Sequence, residues 1–132
     1  MGIGALAVVA DWLDAVNDGD ADRVARLSAE DVEVAGPRGT ARGRAVLAGW
    51  LTRAGFAAQP RRWFCGADGT VVVEQAARWI DPATGTDRGA AVVASEFHVG
   101  TSQIQRYARH DDLGTALANA GLHESDEVHA RH

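Results

Sequence analysis

The second half of the chain alternates between strand-length segments and short turns, and this spacing constrains the fold more than any other feature. Turns containing Gly, Pro or Asp separate four such segments, which are Arg61–Cys65, Thr70–Ile80, Ala90–Val99 and Ile104–His110. The longest segment, 70–80, is rich in β-branched residues, which favour extended backbone. Because short turns join antiparallel neighbours, the spacing predicts an antiparallel meander.

Helical patterns dominate the first half, where apolar residues recur at three- and four-residue steps. The predicted helices and one further strand are Ala5–Asn17, a short helix after the N-cap Asp20, the strand Val32–Val34, Arg44–Ala54 and, after the meander, Leu113–Ala120. Helices followed by a meander indicate an α+β fold, a curved antiparallel sheet (a cone) packed with the N-terminal helices around a pocket. We expect one domain over residues 1–121 and a polar, disordered C-terminal tail over 122–132.

Composition excludes several classes of function. The net charge of −5 provides no basic field for nucleic acid, and no apolar stretch reaches the ~20 residues of a membrane span. All 13 basic residues are Arg, which excludes lysine chemistry, and the single Cys65 excludes an internal disulfide or a Cys-cluster zinc site. We therefore expect a cytoplasmic protein without cofactor or metal. We interpret Cys65 as a buried, inert thiol, and the spacing His129-x-x-His132 as part of the tail.

Three stretches carry a family resemblance. They are Trp12–Asp20, with its helix, Asn-x-Gly-Asp and second helix; Ala29–Arg44, with Gly36-Pro37 and Arg42-Gly43-Arg44; and Gln103–Leu113. In this order and spacing the chain resembles the nuclear transport factor 2-like superfamily, in its SnoaL-like branch of small bacterial proteins. The resemblance implies the cone-shaped fold and a pocket for a small molecule. Because the superfamily includes isomerases, cyclases, epoxide hydrolases and binding domains, it does not by itself imply an activity.

Positions that the resemblance assigns to known chemistries have changed in this sequence. Ketosteroid isomerase requires a carboxylate base, a Tyr and a protonated Asp, and the matching positions are Gly36, Trp12 and Ser95. Limonene epoxide hydrolase uses an Asp–Arg–Asp set, whose matching positions are Gln75, Ala77 and Arg109. Polyketide cyclases of this fold use an acidic residue, for which Asp111 is the nearest candidate.

Strand parity predicts which side chains line the hollow, because successive side chains point to opposite faces. If Gln75, Ser95 and Arg109 face inward, then Val73, Val93 and the other residues of the same parity do so too. The predicted ligand-binding residues, completed by the helices, are Trp12, Val16, Trp50, Gln75, Ala77, Trp79, Ser95 and Phe97. A small number of polar groups in an apolar lining is typical of a pocket for a small apolar ligand.

Two functions fit this lining. The first is a small-molecule-binding domain without chemistry. The alternative is an isomerase, cyclase or hydrolase that acts on an apolar, oxygen-bearing substrate, with Tyr107 and Arg109 polarising the oxygen and Asp111 moving the proton. Catalysis predicts a carboxylate in the hollow with a raised pKa, whereas binding predicts none. The neutral Gln75 and Ser95 at inward positions favour binding.

The opposite parity predicts a mixed outer face. Its members are Glu74, Arg78, Glu96, His98, Arg106 and His110, with Val72, Ala76, Ile80, Val92 and Ala94 between them. Opposite charges on neighbouring strands form cross-strand pairs, and Glu96 with His98 is interpreted as such a surface or interface pair. We expect this face to form a homodimer.

Overall fold

The computed structural model describes residues 2–36, 39–47, 56–66, 68–80, 83–100 and 102–128. Three helices, α1 to α3, span Gly2–Asn17, Ala21–Arg26 and Leu113–Ala120. Seven strands, β1 to β7, span Ser28–Gly36, Gly39–Arg42, Phe56–Cys65, Thr70–Ile80, Asp87–Val99, Ile104–His110 and Glu127–Val128. A helical turn covers residues 44–47, and the rest of the helix predicted to reach Ala54 lies outside the described residues.

The strands form one curved sheet in the order β2-β1-β6-β5-β4-β3-β7. The predicted α+β class and the antiparallel meander β3-β4-β5-β6 are confirmed. One pair outside the meander is parallel, since β1 pairs with β6 in parallel. The long excursion of the chain between these two strands supplies the crossover that a parallel pair requires.

Polar caps begin and end the helices where the sequence predicts. The Asp20 side chain accepts a hydrogen bond from the Arg23 backbone N–H at the start of α2, and Asp112 accepts one from Thr115 at the start of α3. Gly121 ends α3 with φ 73°, a left-handed conformation that glycine adopts without steric cost. Asn17, at the end of α1, donates to the Ala58 carbonyl over 2.7 Å and accepts from its N–H over 2.9 Å, which fixes the helix to β3.

The main core lies between α1 and the inner face of the sheet, where helix residues such as Val9 and Leu13 meet sheet residues such as Val73 and Phe97. A second core lies on the outer face, where Ala116 and Leu117 of α3 pack against Phe64, Val72 and Ala94. Val72 and Ala94 were expected on a dimer face. They are instead covered by α3 of the same chain, because the turn after β6 returns the chain across the sheet.

The C-terminal segment past Gly121 also differs from the prediction of a tail outside the domain. Leu122 packs against the outer core, and β7 pairs with β3 at Trp63 and Phe64. The Arg62 guanidinium contacts the carboxylates of Glu124 at 3.2 Å and Glu127 at 2.9 Å. Residues 122–128 therefore extend the domain, while residues 129–132, including the predicted His129 and His132 pair, lie outside the described residues.

Candidate functional site

A hydrogen-bonded network of neutral side chains crosses the inner face of the sheet. Ser95 of β5 donates its hydroxyl proton to the Gln75 carbonyl oxygen on β4, and Tyr107 of β6 is hydrogen-bonded to Ser95. All three residues are buried. Burial, the largest effect, raises the pKa of the Tyr107 hydroxyl. Tyr107 therefore stays protonated at neutral pH and remains a hydrogen-bond donor.

The network ends in a donor that has no hydrogen-bond partner in the described part of the chain. Gln75 is 0% exposed, and its Nε2 atom has no hydrogen-bond partner among the described residues. A buried amide without a partner is unfavourable by about 1–3 kcal/mol, and native structures contain few such groups. This orphaned donor is the feature that makes the inner face a candidate site.

Small apolar side chains surround this end of the network. Ala58, Ala77 and Val93 form a buried cluster on β3, β4 and β5, against which Val16 and Trp79 pack. These five residues place an apolar lining next to Gln75 and correspond to the composition of a small-molecule pocket. Three of the predicted pocket residues, Val16, Ala77 and Trp79, therefore lie together, and Gln75 is paired with Val93 of the same cluster in the β4–β5 register. The predicted Trp50 lies outside the described residues.

Three aromatic rings fill the neighbouring part of the inner face. Trp12 lies 5.3 Å from Phe97 in an edge-on arrangement and 4.9 Å from Tyr107, between ring centroids. The Trp12 indole N–H donates to Ser28 over 3.1 Å, and Ser28 in turn donates to the Val24 carbonyl. Trp12 is fully buried and its N–H is hydrogen-bonded to Ser28. The predicted pocket residues Trp12 and Phe97 are therefore packed in the core beside the network.

The three residues predicted for catalysis lie at the end of β6 but differ in surroundings. The Arg109 guanidinium lies over the Trp79 ring, 5.4 Å from its centroid, in a cation–π contact. Asp111 is exposed and borders a surface cavity of about 270 Å³, lined by Ala35, Arg106, Ala108, Arg109, His110, Asp111, Asp112 and Thr115. Tyr107 is buried in the network, so the structure does not bring its hydroxyl and the Asp111 carboxylate into one enclosed site.

A second surface cavity, of about 400 Å³, lies beside the end of α1. Its lining residues are Ala10, Leu13, Asp14, Asn17, Asp18, Arg23, Gln59, Pro60 and Trp63. This cavity is distinct from the inner-face lining around Gln75. No pattern in the sequence indicates this cavity.

The outer face carries a charged network in which both oxygens of the Glu96 carboxylate have partners. Glu96 is 1% exposed. Its Oε2 lies 2.7 Å from His98 Nε2, and its Oε1 lies 3.0 Å from His110 Nε2 and accepts from Asn119 Nδ2 over 2.7 Å. Arg106 Nη1 lies 3.4 Å from the same carboxylate. This carboxylate therefore connects β5, β6 and α3.

Opposing effects set the pKa of Glu96. Burial favours the neutral carboxyl, but the hydrogen bonds from His98, Asn119 and His110 and the charge of Arg106 outweigh burial and lower the pKa from 4.5 to about 2. Glu96 is thus a permanent carboxylate at neutral pH, poorly suited to accept or donate a proton in catalysis. Sequence reasoning found the pairing of Glu96 with His98 but missed His110 and Asn119, which only the fold brings near.

The remaining nucleophile and metal candidates give no reactive centre in the described part of the chain. Burial raises the pKa of the half-buried Cys65 thiol, which keeps it protonated and weakly nucleophilic. No group of three His, Cys, Asp or Glu side chains positioned to hold a metal ion occurs among the described residues.

Comparison with known proteins gives the family. Residues 9–110 match the model of the SnoaL-like domain. The chain belongs to the SnoaL-like family. No curated protein matches the sequence.

Solved structures confirm the fold of this SnoaL-like domain. An NTF2-like protein of unknown function from Cytophaga hutchinsonii is 14% identical with a TM-score of 0.71, and the match covers 82% of this chain and 89% of that one. A putative polyketide cyclase from Xanthomonas campestris pv. campestris is 24% identical with a TM-score of 0.69, covering 90% and 98%. The epoxide hydrolase/cyclase-like enzyme SalBIII is 21% identical with a TM-score of 0.71, covering 83% and 92%. At these identities the similarity concerns the fold, not the activity.

Proposed function

We propose that this SnoaL-like domain binds a small, largely apolar molecule against the inner face of its sheet. The observation that supports the proposal most is the orphaned Gln75 Nε2, a fully buried donor at the end of the Tyr107–Ser95–Gln75 network. Ala77, Val93 and their neighbours supply the apolar contacts around it. Such an arrangement combines apolar affinity with one directional polar contact, as ligand pockets do.

The distribution of carboxylates favours binding over acid/base catalysis. Among the side chains that the structure describes, Glu96 is the only buried carboxylate, and it lies on the outer face with a pKa lowered to about 2. Catalysis by proton transfer requires a group whose pKa lies near the working pH and which reaches the substrate. The alternative function, an isomerase, cyclase or hydrolase using Asp111 with Tyr107 and Arg109, has the weaker support because Asp111 is exposed.

A thermal-shift screen against steroids, aromatic polyketides, terpene epoxides and small carboxylic acids tests the proposal. A ligand at ~100 times its dissociation constant stabilises the protein by about 2.7 kcal/mol. In Ala77→Leu the larger side chain occupies the inner-face lining, so we expect the shift to be lost. Gln59→Leu, at an exposed position on the neighbouring strand β3, is the control and retains the shift. If no compound stabilises the wild type, or Ala77→Leu binds normally, the proposal is wrong.

We also propose that a second copy of the chain packs on the part of the outer face that α3 leaves open. Val92 is 46% exposed and Ile80 is 38% exposed on this part. Glu74 and Arg78 lie on the same face of β4, so one patch carries both charges and is self-complementary about a two-fold axis. Light scattering at micromolar concentration tests the dimer, which we expect Val92→Asp to dissociate. A monomer mass for the wild type contradicts it.

The cytoplasmic location expected from the sequence remains a prediction. No helix in the described ranges is long and apolar enough to cross a membrane. Fractionation of cells that express the chain tests the location. Recovery of the protein outside the cytoplasmic fraction would contradict the prediction.

A further inference from the structure

The direction of the hydrogen bonds along the inner network determines what its free end offers. Ser95 donates to the Gln75 carbonyl oxygen. Its own oxygen is then available to accept from the Tyr107 hydroxyl, to which it is hydrogen-bonded. The Tyr107 hydroxyl thus donates to Ser95, and the Ser95 hydroxyl donates to the Gln75 carbonyl oxygen. The amide nitrogen, with two N–H groups, is left as the terminus.

The reverse direction is disfavoured by the chemistry of the same three groups. If the Gln75 amide turned by half a rotation, its nitrogen would donate to Ser95, and Ser95 would donate to Tyr107. The Tyr107 hydroxyl, which is buried, would then lose Ser95 as its acceptor in the interior of the domain. A hydroxyl that loses its acceptor in such a region is unfavourable. The network therefore holds Gln75 as a donor.

We infer that Gln75 selects ligands that carry a neutral, hydrogen-bond-accepting oxygen without a proton of its own, such as a ketone or an ether. This inference rests on the proposed function and adds its specificity. A hydrocarbon leaves the Gln75 N–H groups without a partner. An alcohol accepts from Gln75 but brings a hydroxyl proton that needs an acceptor among apolar side chains. Ser95 and Tyr107 act as positioning residues, since they orient the amide without reaching the ligand.

A matched pair of small molecules tests the selectivity directly. Acetophenone and α-methylstyrene have nearly the same shape and differ in a carbonyl oxygen against a methylene group. We expect calorimetric titration of the folded wild type to give about tenfold tighter binding of acetophenone, the effect of one buried hydrogen bond that satisfies an orphaned donor. The corresponding alcohol, 1-phenylethanol, is expected to bind between the two.

Substitution of Gln75 is expected to remove the preference for the ketone over the alkene. In Gln75→Leu, or in the nearly isosteric Gln75→Met should Gln75→Leu fold poorly, the affinity ratio of ketone to alkene falls to about one while alkene binding persists. Ser95→Ala lowers the ratio without contact to the ligand, and Ser95→Thr, which keeps the hydroxyl, restores it. Gln59→Leu, an exposed Gln on β3, is the control and keeps the wild-type ratio.

The outcomes separate the selectivity from the binding proposal. Equal affinities of the two compounds for the wild type overturn the inference about Gln75 but leave apolar binding intact, and assign the orphaned donor to a buried water. A ketone preference that survives in Gln75→Leu and Gln75→Met likewise overturns it. If neither compound binds, and the larger ketone 2-acetonaphthone does not bind either, the proposed function itself is contradicted and the inference with it.

Discussion

The two faces of the sheet carry buried polar networks of opposite character. On the inner face, the network is neutral and ends in the donor of Gln75, which lacks a partner in the described part of the chain. On the outer face, the network is charged, and Glu96 is surrounded by His98, His110, Asn119 and Arg106. A fully satisfied network fixes a structure, whereas an unsatisfied one has a free energy that a ligand can recover. This difference agrees with the proposed function, in which the outer network holds the fold together and the inner network offers its free donor to a ligand.

The strongest test of this contrast is Glu96→Gln, which we expect to lower the free energy of unfolding by about 3 kcal/mol. The amide cannot accept all the hydrogen bonds that the carboxylate does, and it leaves buried donors unpaired. Urea unfolding at neutral pH measures the effect. Glu30→Gln, at an exposed carboxylate on β1, is the control with a change below about 0.5 kcal/mol. Similar losses in both variants would refute the special role of Glu96.

The pH dependence of stability should identify the same carboxylate. Because folding lowers the Glu96 pKa from 4.5 to about 2, its contribution is fully present above pH 4.5 and is lost as the pH falls toward about 2. The size of this contribution is roughly 3 kcal/mol, at about 1.4 kcal/mol for each pKa unit. Urea unfolding across this range should show a steeper loss in the wild type than in Glu96→Gln. Parallel curves would mean that the network does not depress this pKa.

Tyr107→Phe on the inner face should have a smaller effect, about 1 kcal/mol. The change removes one neutral hydrogen bond to Ser95 and keeps the ring packed against Trp12 and Phe97. Thermal unfolding monitored by circular dichroism measures it. A loss as large as that of Glu96→Gln would remove the distinction between the two networks.

The smallest expected effect on stability is that of Gln75→Leu without ligand. The substitution deprives Ser95 of its acceptor but also eliminates the orphaned amide, and the two contributions offset each other to within about 1 kcal/mol. Urea unfolding of the ligand-free protein provides the value. A loss of several kcal/mol would show that Gln75 serves the fold, not a ligand.

The sequence predicted the long elements well because their patterns are local. The bounds of β4, β6 and α3 agree with the predicted segments Thr70–Ile80, Ile104–His110 and Leu113–Ala120. Periodicity, turn residues and the Asp112 cap suffice for such elements. Strands β2 and β7 were missed, since a strand of four exposed residues or of two residues has no alternation to detect.

The sites depended on information that strand parity does not contain. Parity placed Gln75 and Ser95 on one face, but their hydrogen bond follows from the register, in which Ser95 pairs with Val73. Likewise, His110 and Asn119 lie 14 and 23 residues from Glu96 along the chain. The β5–β6 register brings His110 to the carboxylate, and the turn after β6, which lays α3 across the outer face, brings Asn119. The fold could therefore be predicted in outline, and the two networks could not.

The most direct test of the central claim is a titration of ¹⁵N-labelled protein with acetophenone, followed by NMR. The account predicts that the side-chain amide resonances of Gln75 shift most, with smaller changes at Ala77 and Val93. The resonances of Glu96, His98 and Asn119 on the outer face should stay in place. Shifts confined to the outer face, with an unchanged Gln75 amide, would contradict the assignment of binding to the inner face.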